Sequence, residues 1–137
     1  VDLDGAVKTM DAAKKAGIDQ YYMVSTWDSS RIAVDNPDDP IKTYTIAKHY
    51  ADLYLKNESG LTYTIIHPST LNDEAGSGTI EVVDTHSTDE ASKKSISRED
   101  VASVITELLL SDGYKNQSIQ IVSGDKDIKE ALEEVKK

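Results

Sequence analysis

Residues 42–50 read KTYTIAKHY and set Tyr44 four positions before Lys48. On a helix that spacing puts both side chains on one face. A free phenol has a pKa of about 10, too high for efficient proton transfer at neutral pH. A neighbouring ammonium stabilises the phenolate and lowers that value. The pair therefore suits tyrosine acid–base chemistry. A two-residue motif also arises by chance, and the plain alternative is an exposed lysine beside a half-buried tyrosine.

Other candidate groups stand at the ends of apolar runs. Ser25 and Thr26 close the run YYMVS, and open α/β sheets place ligands at the carboxyl ends of their strands. A hydroxyl there can orient a substrate carbonyl, or it can satisfy the strand's own last backbone groups. HPST, residues 67–70, leaves a second apolar run in the same way. His67 reads either as a ligand or proton carrier or as a packed, hydrogen-bonded histidine. His49 and His86 lie elsewhere, so no histidine cluster of metal type is visible, and Asp38–Asp39 and Asp89–Glu90 read as solvated loop charges. No metal site is expected. Neither GxGxxG nor a P-loop occurs, and AGSG (75–78) lacks the strand-to-helix setting of a phosphate site.

These residues need elements to position them. Leu3, Ala6, Val7, Met10 and Ala13 form one apolar stripe, which predicts a helix over 2–16 stopped by Gly17. YYMVS (21–25) predicts a buried strand. The stretch 26–40, with Pro37 and Pro40, predicts a long loop in which Asp38 or Asp39 caps the next helix. That helix runs from about Ile41 to Lys56, with Ala47, Tyr50, Ala51 and Tyr54 as its inner stripe and Gly60 beyond its end. LTYTII (61–66) and SIQIVSG (118–124) are two more strands, and TIEVV (79–83) is a short one in a polar stretch. SRED (97–100) is a capping box, in which Ser97 accepts from the Asp100 N–H and the Asp100 carboxylate reaches back. Val101, Val104, Ile105, Leu108 and Leu109 mark the helix it starts, and Gly113 ends it. Residues 127–137 form a last helix with Ile128, Ala131, Leu132 and Val135 inside. Strands alternating with helices predict an α/β fold with about three main parallel strands and four helices. YYMVS is expected at a bare sheet edge, covered either by further strands of a longer protein or by a second copy in a homo-oligomer.

The whole chain narrows the setting. Its 137 residues suit one domain, and 38% hydrophobic against 29% charged residues suit a folded protein. A net charge of −10 disfavours nucleic acid and anionic lipid as partners. No apolar run approaches the roughly 20 residues that span a bilayer. Cysteine is absent, and VDLDGAVK carries acids where a secretory leader is basic. A cytoplasmic protein is the expectation. The chain begins with Val1 and not methionine, and Leu3 already lies on a helix face, which suggests a piece of something longer.

Several segments in order resemble the carboxyl-terminal half of atypical short-chain dehydrogenases/reductases, Rossmann proteins that bind NAD(P) and are often epimerase-like. The segments are VDLDGAVKTMDAAKKAGIDQYYMVST, YTIAKHYADLYLKNESGLTYTIIHPSTL, NDEAGSGTI and ISREDVASVITELL. The resemblance implies that residues 1–137 are the carboxyl-terminal portion of one Rossmann domain whose glycine-rich half is absent. It implies NADP or NAD as cofactor, Tyr44 as acid–base, and Lys48 as the group that holds the nicotinamide ribose and lowers the tyrosine pKa. Ser25 or Thr26 would sit near the nicotinamide and orient a small carbonyl, alcohol or sugar-like substrate. His67, Pro68, Ser69 and Thr70 would line the nicotinamide end of the cofactor site. HPST replaces the more usual RPG, so His67 stands for an arginine and Ser69 for a glycine. Without the glycine-rich half this chain is expected to bind dinucleotide poorly and to be inactive alone. The alternative expectation is a non-catalytic NAD(P)H sensor that contacts a protein partner.

Overall fold

A computed structural model of the chain describes residues 1–83, 91 and 94–137. The elements are α1 (Asp4–Lys15), β1 (Gln20–Val24), α2 (Arg31–Asp35), α3 (Lys42–Asn57), β2 (Thr62–Pro68), β3 (Leu71–Asn72), β4 (Thr79–Val83), β5 (Ile96–Ser97), α4 (Arg98–Leu110), β6 (Gln117–Ser123), β7 (Lys126–Asp127) and α5 (Ile128–Val135). The sheet order is β1-β2-β6-β4-β7. β1, β2 and β6 run parallel, which is the three-strand core the alternating pattern predicts. The fold is α/β of Rossmann type. β1 is an edge strand among the described residues, as expected from YYMVS.

Two features depart from the sequence reading. TIEVV pairs antiparallel with β6 and with β7, so the sheet is mixed and wider than three strands. Strand periodicity reports which residues share a face and carries no sign of direction. The stretch 26–40 also holds a short helix, α2, whose first turn is capped by Ser30 Oγ accepting from the Ala33 N–H at 3.3 Å. The expected charges of Asp89–Glu90 and the expected isolation of His86 lie outside the described residues.

Each face of the sheet carries its own core. Met23, Ile65 and Leu61 meet Met10 of α1 and Ala51 and Leu55 of α3. On the opposite face Ile66, Ile119 and Ile121 pack on Val101, Val104 and Leu108 of α4 and on Ile128, Ala131 and Leu132 of α5. Burying each such side chain contributes about 1.5–3 kcal/mol. Caps fix where the helices begin. Ser97 accepts from Asp100 N at 2.9 Å, and Asp127 accepts from Lys129 N at 3.0 Å. α3 is the exception to the expected Asp38 or Asp39 cap: its cap position is Ile41, with no side-chain cap bond, and Asp39 instead braces the preceding turn by accepting from Ile41 N at 2.9 Å and from Thr45 Oγ1 at 2.6 Å. Gly17 and Gly60 take φ of +73° and +69° just past α1 and α3, a conformation that favours glycine.

Gly124 has a different task. It lies where β6 passes the backbone of β4, and a Cβ there would stand 2.5 Å from both Glu81 N and the Ile80 carbonyl carbon. Neither atom belongs to a side chain that can move aside. Gly124→Ala is therefore expected to spread β4 from β6 and cost about 2–3 kcal/mol, the scale of an overpacked interior. Urea denaturation measures it, and a variant as stable as the parent would show that the two strands part freely.

Candidate functional site

α3 packs on the face of β1 and β2, and its first turns reach the carboxyl ends of those strands, where residues of the loop 26–40 lie beside them. Together they enclose a cleft of about 690 Å³ lined by Ser25, Thr26, Tyr44, Pro68, Ser69 and Thr70, with Trp27, Asp39 and Arg98 at its margins. Six of the eight residues singled out in the sequence thus share one cavity. The reason is topological: parallel neighbours present their carboxyl ends on the same side. Lys48 and His67 are not among its lining residues.

Tyr44 is 36% exposed, one turn before Lys48. The Lys48 Nζ lies 5.8 Å from the Tyr44 ring centroid and donates to the Val24 carbonyl at 3.1 Å. The expected lowering of the phenol pKa is absent here. Burial pushes Tyr44 above its ordinary value, the charge of Asp2 pushes the same way, a hydrogen bond with the Thr26 side chain opposes them, and Asp52 adds a further upward push. The ammonium is turned to a backbone carbonyl, and its charge does not offset these upward pushes. Tyr44 stands here as a protonated phenol at neutral pH.

Ser25 departs from expectation in its hydrogen. Its Oγ donates to Asp52 Oδ2 at 2.8 Å, and Ser29 Oγ donates to the same oxygen at 2.5 Å. A carboxylate only accepts, so the single Ser25 proton is committed and the hydroxyl meets the cleft as an acceptor. Thr26 is left as the neighbouring hydroxyl on the Tyr44 side. Ser69 is 3% exposed and its Oγ has no hydrogen-bond partner among the described residues, although its N–H is spent on the Ile121 carbonyl at 3.0 Å. A buried hydroxyl without a partner costs roughly 1–3 kcal/mol.

His67 is buried behind this wall. Its Nδ1 donates to the Thr26 carbonyl at 2.9 Å and so fixes the backbone that carries the Thr26 hydroxyl. Burial drives the imidazole below its ordinary pKa, against the upward pulls of Asp52 and of the Thr26 hydrogen bond. It is therefore a neutral positioning group, not a cation in the place of the family's arginine.

The sequence reading missed Asp52 and His49. The expected inner stripe of α3 was Ala47, Tyr50, Ala51 and Tyr54. The buried positions are Thr45, His49, Ala51, Asp52 and Leu55, and Tyr50 is exposed. His49 Nδ1 donates to the Ser29 carbonyl at 2.7 Å. The helix is turned so that two polar side chains reach the loop after β1. Histidine and aspartate three apart on the YxxAK helix were the available signal, with a serine-rich loop (Ser25, Ser29, Ser30) to receive them. The AGSG turn spends its glycine donors inside the protein: Gly76 N donates to Glu99 Oε2 at 2.8 Å and Gly78 N to Asp100 Oδ1 at 2.9 Å. No group of three His, Cys, Asp or Glu able to hold a metal occurs among the described residues. No helix of the described residues is long and apolar enough to cross a membrane.

Comparison with known proteins follows the same lines. Residues 1–112 match the family model described as NAD(P)H-binding. The chain is 39% identical to the uncharacterized sugar epimerase YhfK of Bacillus subtilis over 98% of its own length and 59% of that protein's. It is also 39% identical to the oxidoreductase ylbE of Lactococcus lactis, whose crystal structure superposes with a TM-score of 0.82 over 98% of this chain and 60% of that one. The chain thus spans about three fifths of the length of these relatives. With the family model covering most of its residues, the chain belongs to the NAD(P)H-binding family.

Proposed function

We infer that these residues are the carboxyl-terminal part of an NAD(P)-dependent oxidoreductase that reduces a small carbonyl or sugar-like compound. One observation carries the reading. A single cleft at the ends of two parallel strands gathers the Tyr44 phenol, the Thr26 hydroxyl and the unpartnered Ser69 hydroxyl. Ser69 and Thr70, backed by Pro68, are the groups that fit the nicotinamide end of the cofactor. Lys48 keeps two of its three N–H donors for the ribose. The bound dinucleotide supplies the hydride. Tyr44, protonated at neutral pH, donates its proton to the substrate oxygen, and Thr26 orients that oxygen. Ser25 accepts a hydrogen bond from a substrate hydroxyl, which favours a hydroxylated carbonyl compound.

A second reading has its own support. Tyr44 lacks the downward push that the lysine was expected to give, and Lys48 is engaged with the Val24 carbonyl. A protein that binds NADPH and reports its level to a partner needs no tuned phenol. Titration separates the two readings. A chain of the relatives' full length, carrying these residues, is expected to bind NADPH and to oxidise it when a panel of hydroxylated aldehydes and ketones is added. Tight binding with no oxidation across the panel would favour the sensor. The 137-residue chain is expected to bind NADPH at least a hundredfold more weakly, because no glycine-rich turn is present to seat the pyrophosphate.

A further inference from the structure

Behind the Ser25–Asp52–Ser29 wall lies a second cavity of about 510 Å³, framed by α2, α3 and the face of β2 and β6. Asp52, His49, Lys56, His67 and Ser118 line it, and Asp52 does not line the first cleft. Two of its atoms are unpaired. Asp52 is 3% exposed, and only its Oδ2 is engaged, by the two serine hydroxyls; Oδ1 has no partner among the described residues. Ser118 Oγ, buried on β6, also has none. A buried carboxylate oxygen left bare is costly, and that cost is recovered when a donor arrives.

The rest of the lining decides which donor. His67 and His49 both spend Nδ1–H on backbone carbonyls, so in the neutral ring Nε2 is the acceptor. Burial keeps His67 neutral. Asp28 adds a second carboxylate to the lining, against the single cation of Lys56. The walls are therefore rich in acceptors and carry a negative balance. A metal ion is disfavoured by geometry, since no three of these groups converge to ligate one. An organic cation with several N–H donors satisfies what an anion or an apolar molecule does not. We propose that this cavity is a binding site for a small primary ammonium group, held by Asp52 Oδ1 with Ser118 Oγ as second acceptor. Because Asp52 also holds the Ser25 hydroxyl, an occupant is felt at the first cleft through one carboxylate. The proposal is independent of whether the cleft binds a dinucleotide.

Methylammonium chloride is the probe, and tetramethylammonium chloride, a cation without N–H donors, is the control. In 1H–15N correlation spectra of the 137-residue chain, methylammonium is expected to shift the amides of Asp52, His67 and Ser118 saturably. Tetramethylammonium at equal ionic strength is expected to leave them in place. Asp52→Asn is expected to weaken methylammonium at least tenfold, and Ser118→Ala, which touches neither Ser25 nor Ser29, at least threefold. The Ser118 variant keeps the test open if loss of the Asp52 charge unfolds the chain. Equal shifts from both cations, or unchanged affinity in Ser118→Ala, would overturn the proposal. So would a tenfold gain of affinity in Lys56→Met, since that would show the cavity's own lysine to be its occupant.

Discussion

Replacing Tyr44 by phenylalanine in a chain of the relatives' full length is expected to lower turnover by about 10²–10⁴-fold, the usual worth of a positioned general acid. That corresponds to roughly 3–5 kcal/mol of transition-state stabilisation. The change removes one oxygen and keeps the ring, which already shares its environment with the Lys48 chain 5.8 Å away. Cofactor affinity should therefore move by less than about threefold, because the lost hydroxyl acts on the reacting oxygen. The pH dependence adds a readout that packing alone would not move. A phenol pushed above its ordinary pKa stays protonated through neutrality, so the reducing direction should be flat from pH 6 to 9 in the parent. The oxidising direction needs the phenolate and should rise with pH over the same range. If Lys48 swings from the Val24 carbonyl toward the ring when cofactor binds, the rise shifts to lower pH. Unchanged turnover in Tyr44→Phe would remove the catalytic role and leave the sensor.

The legible part of this site followed from topology. Ser25, Thr26 and residues 68–70 leave adjacent parallel strands at the same end, and chain order alone places them together. The helix behind YxxAK was legible as a helix, yet its rotation was not. An apolar stripe assumes that charged residues face water. Asp52 and His49 face inward because Ser25, Ser29 and the Ser29 carbonyl receive them, and those partners lie 20–27 residues away. A window of one helix carries no sign of them. Lys48 shows the same limit: spacing placed it near Tyr44, while its direction was set by a free carbonyl at the end of β1. The antiparallel course of β4 depends on β6 and β7, which come some 40 residues later in the chain.

Asp100 carries the largest expected effect on stability. SRED was legible as a cap, and Ser97 does accept from the Asp100 N–H. The carboxylate, however, reaches further than its own helix. Oδ1 accepts from Gly78 N at 2.9 Å, and Oδ2 accepts from Ser77 N at 3.1 Å and from Ser97 Oγ at 2.8 Å. One buried side chain thus closes the AGSG turn, begins α4 and sets the entry of β4. Ser77 Oγ donates to Oδ2 as well, at 3.3 Å, so Asp100→Ala strips an acceptor from two backbone N–H groups and two serine hydroxyls at once. A loss of about 3 kcal/mol is expected from leaving such groups unpaired, close to 10 °C in Tm for a chain of this size. Burial alone would raise the Asp100 pKa, but the Gly78 and Ser77 N–H groups and the serine hydroxyls outweigh it and hold the carboxyl below its ordinary value. The folded state therefore binds this proton less readily than the unfolded chain does. Its stabilisation is full above the unfolded value of about 3.9 and fades as pH falls through the folded value. Asp100→Asn keeps one acceptor and cannot titrate. Its deficit against the parent should be about half that of Asp100→Ala at pH 7 and should shrink toward pH 3. A deficit that stays constant from pH 7 to pH 3 would mean the turn is held by shape, and the charge on Asp100 would have no part in it.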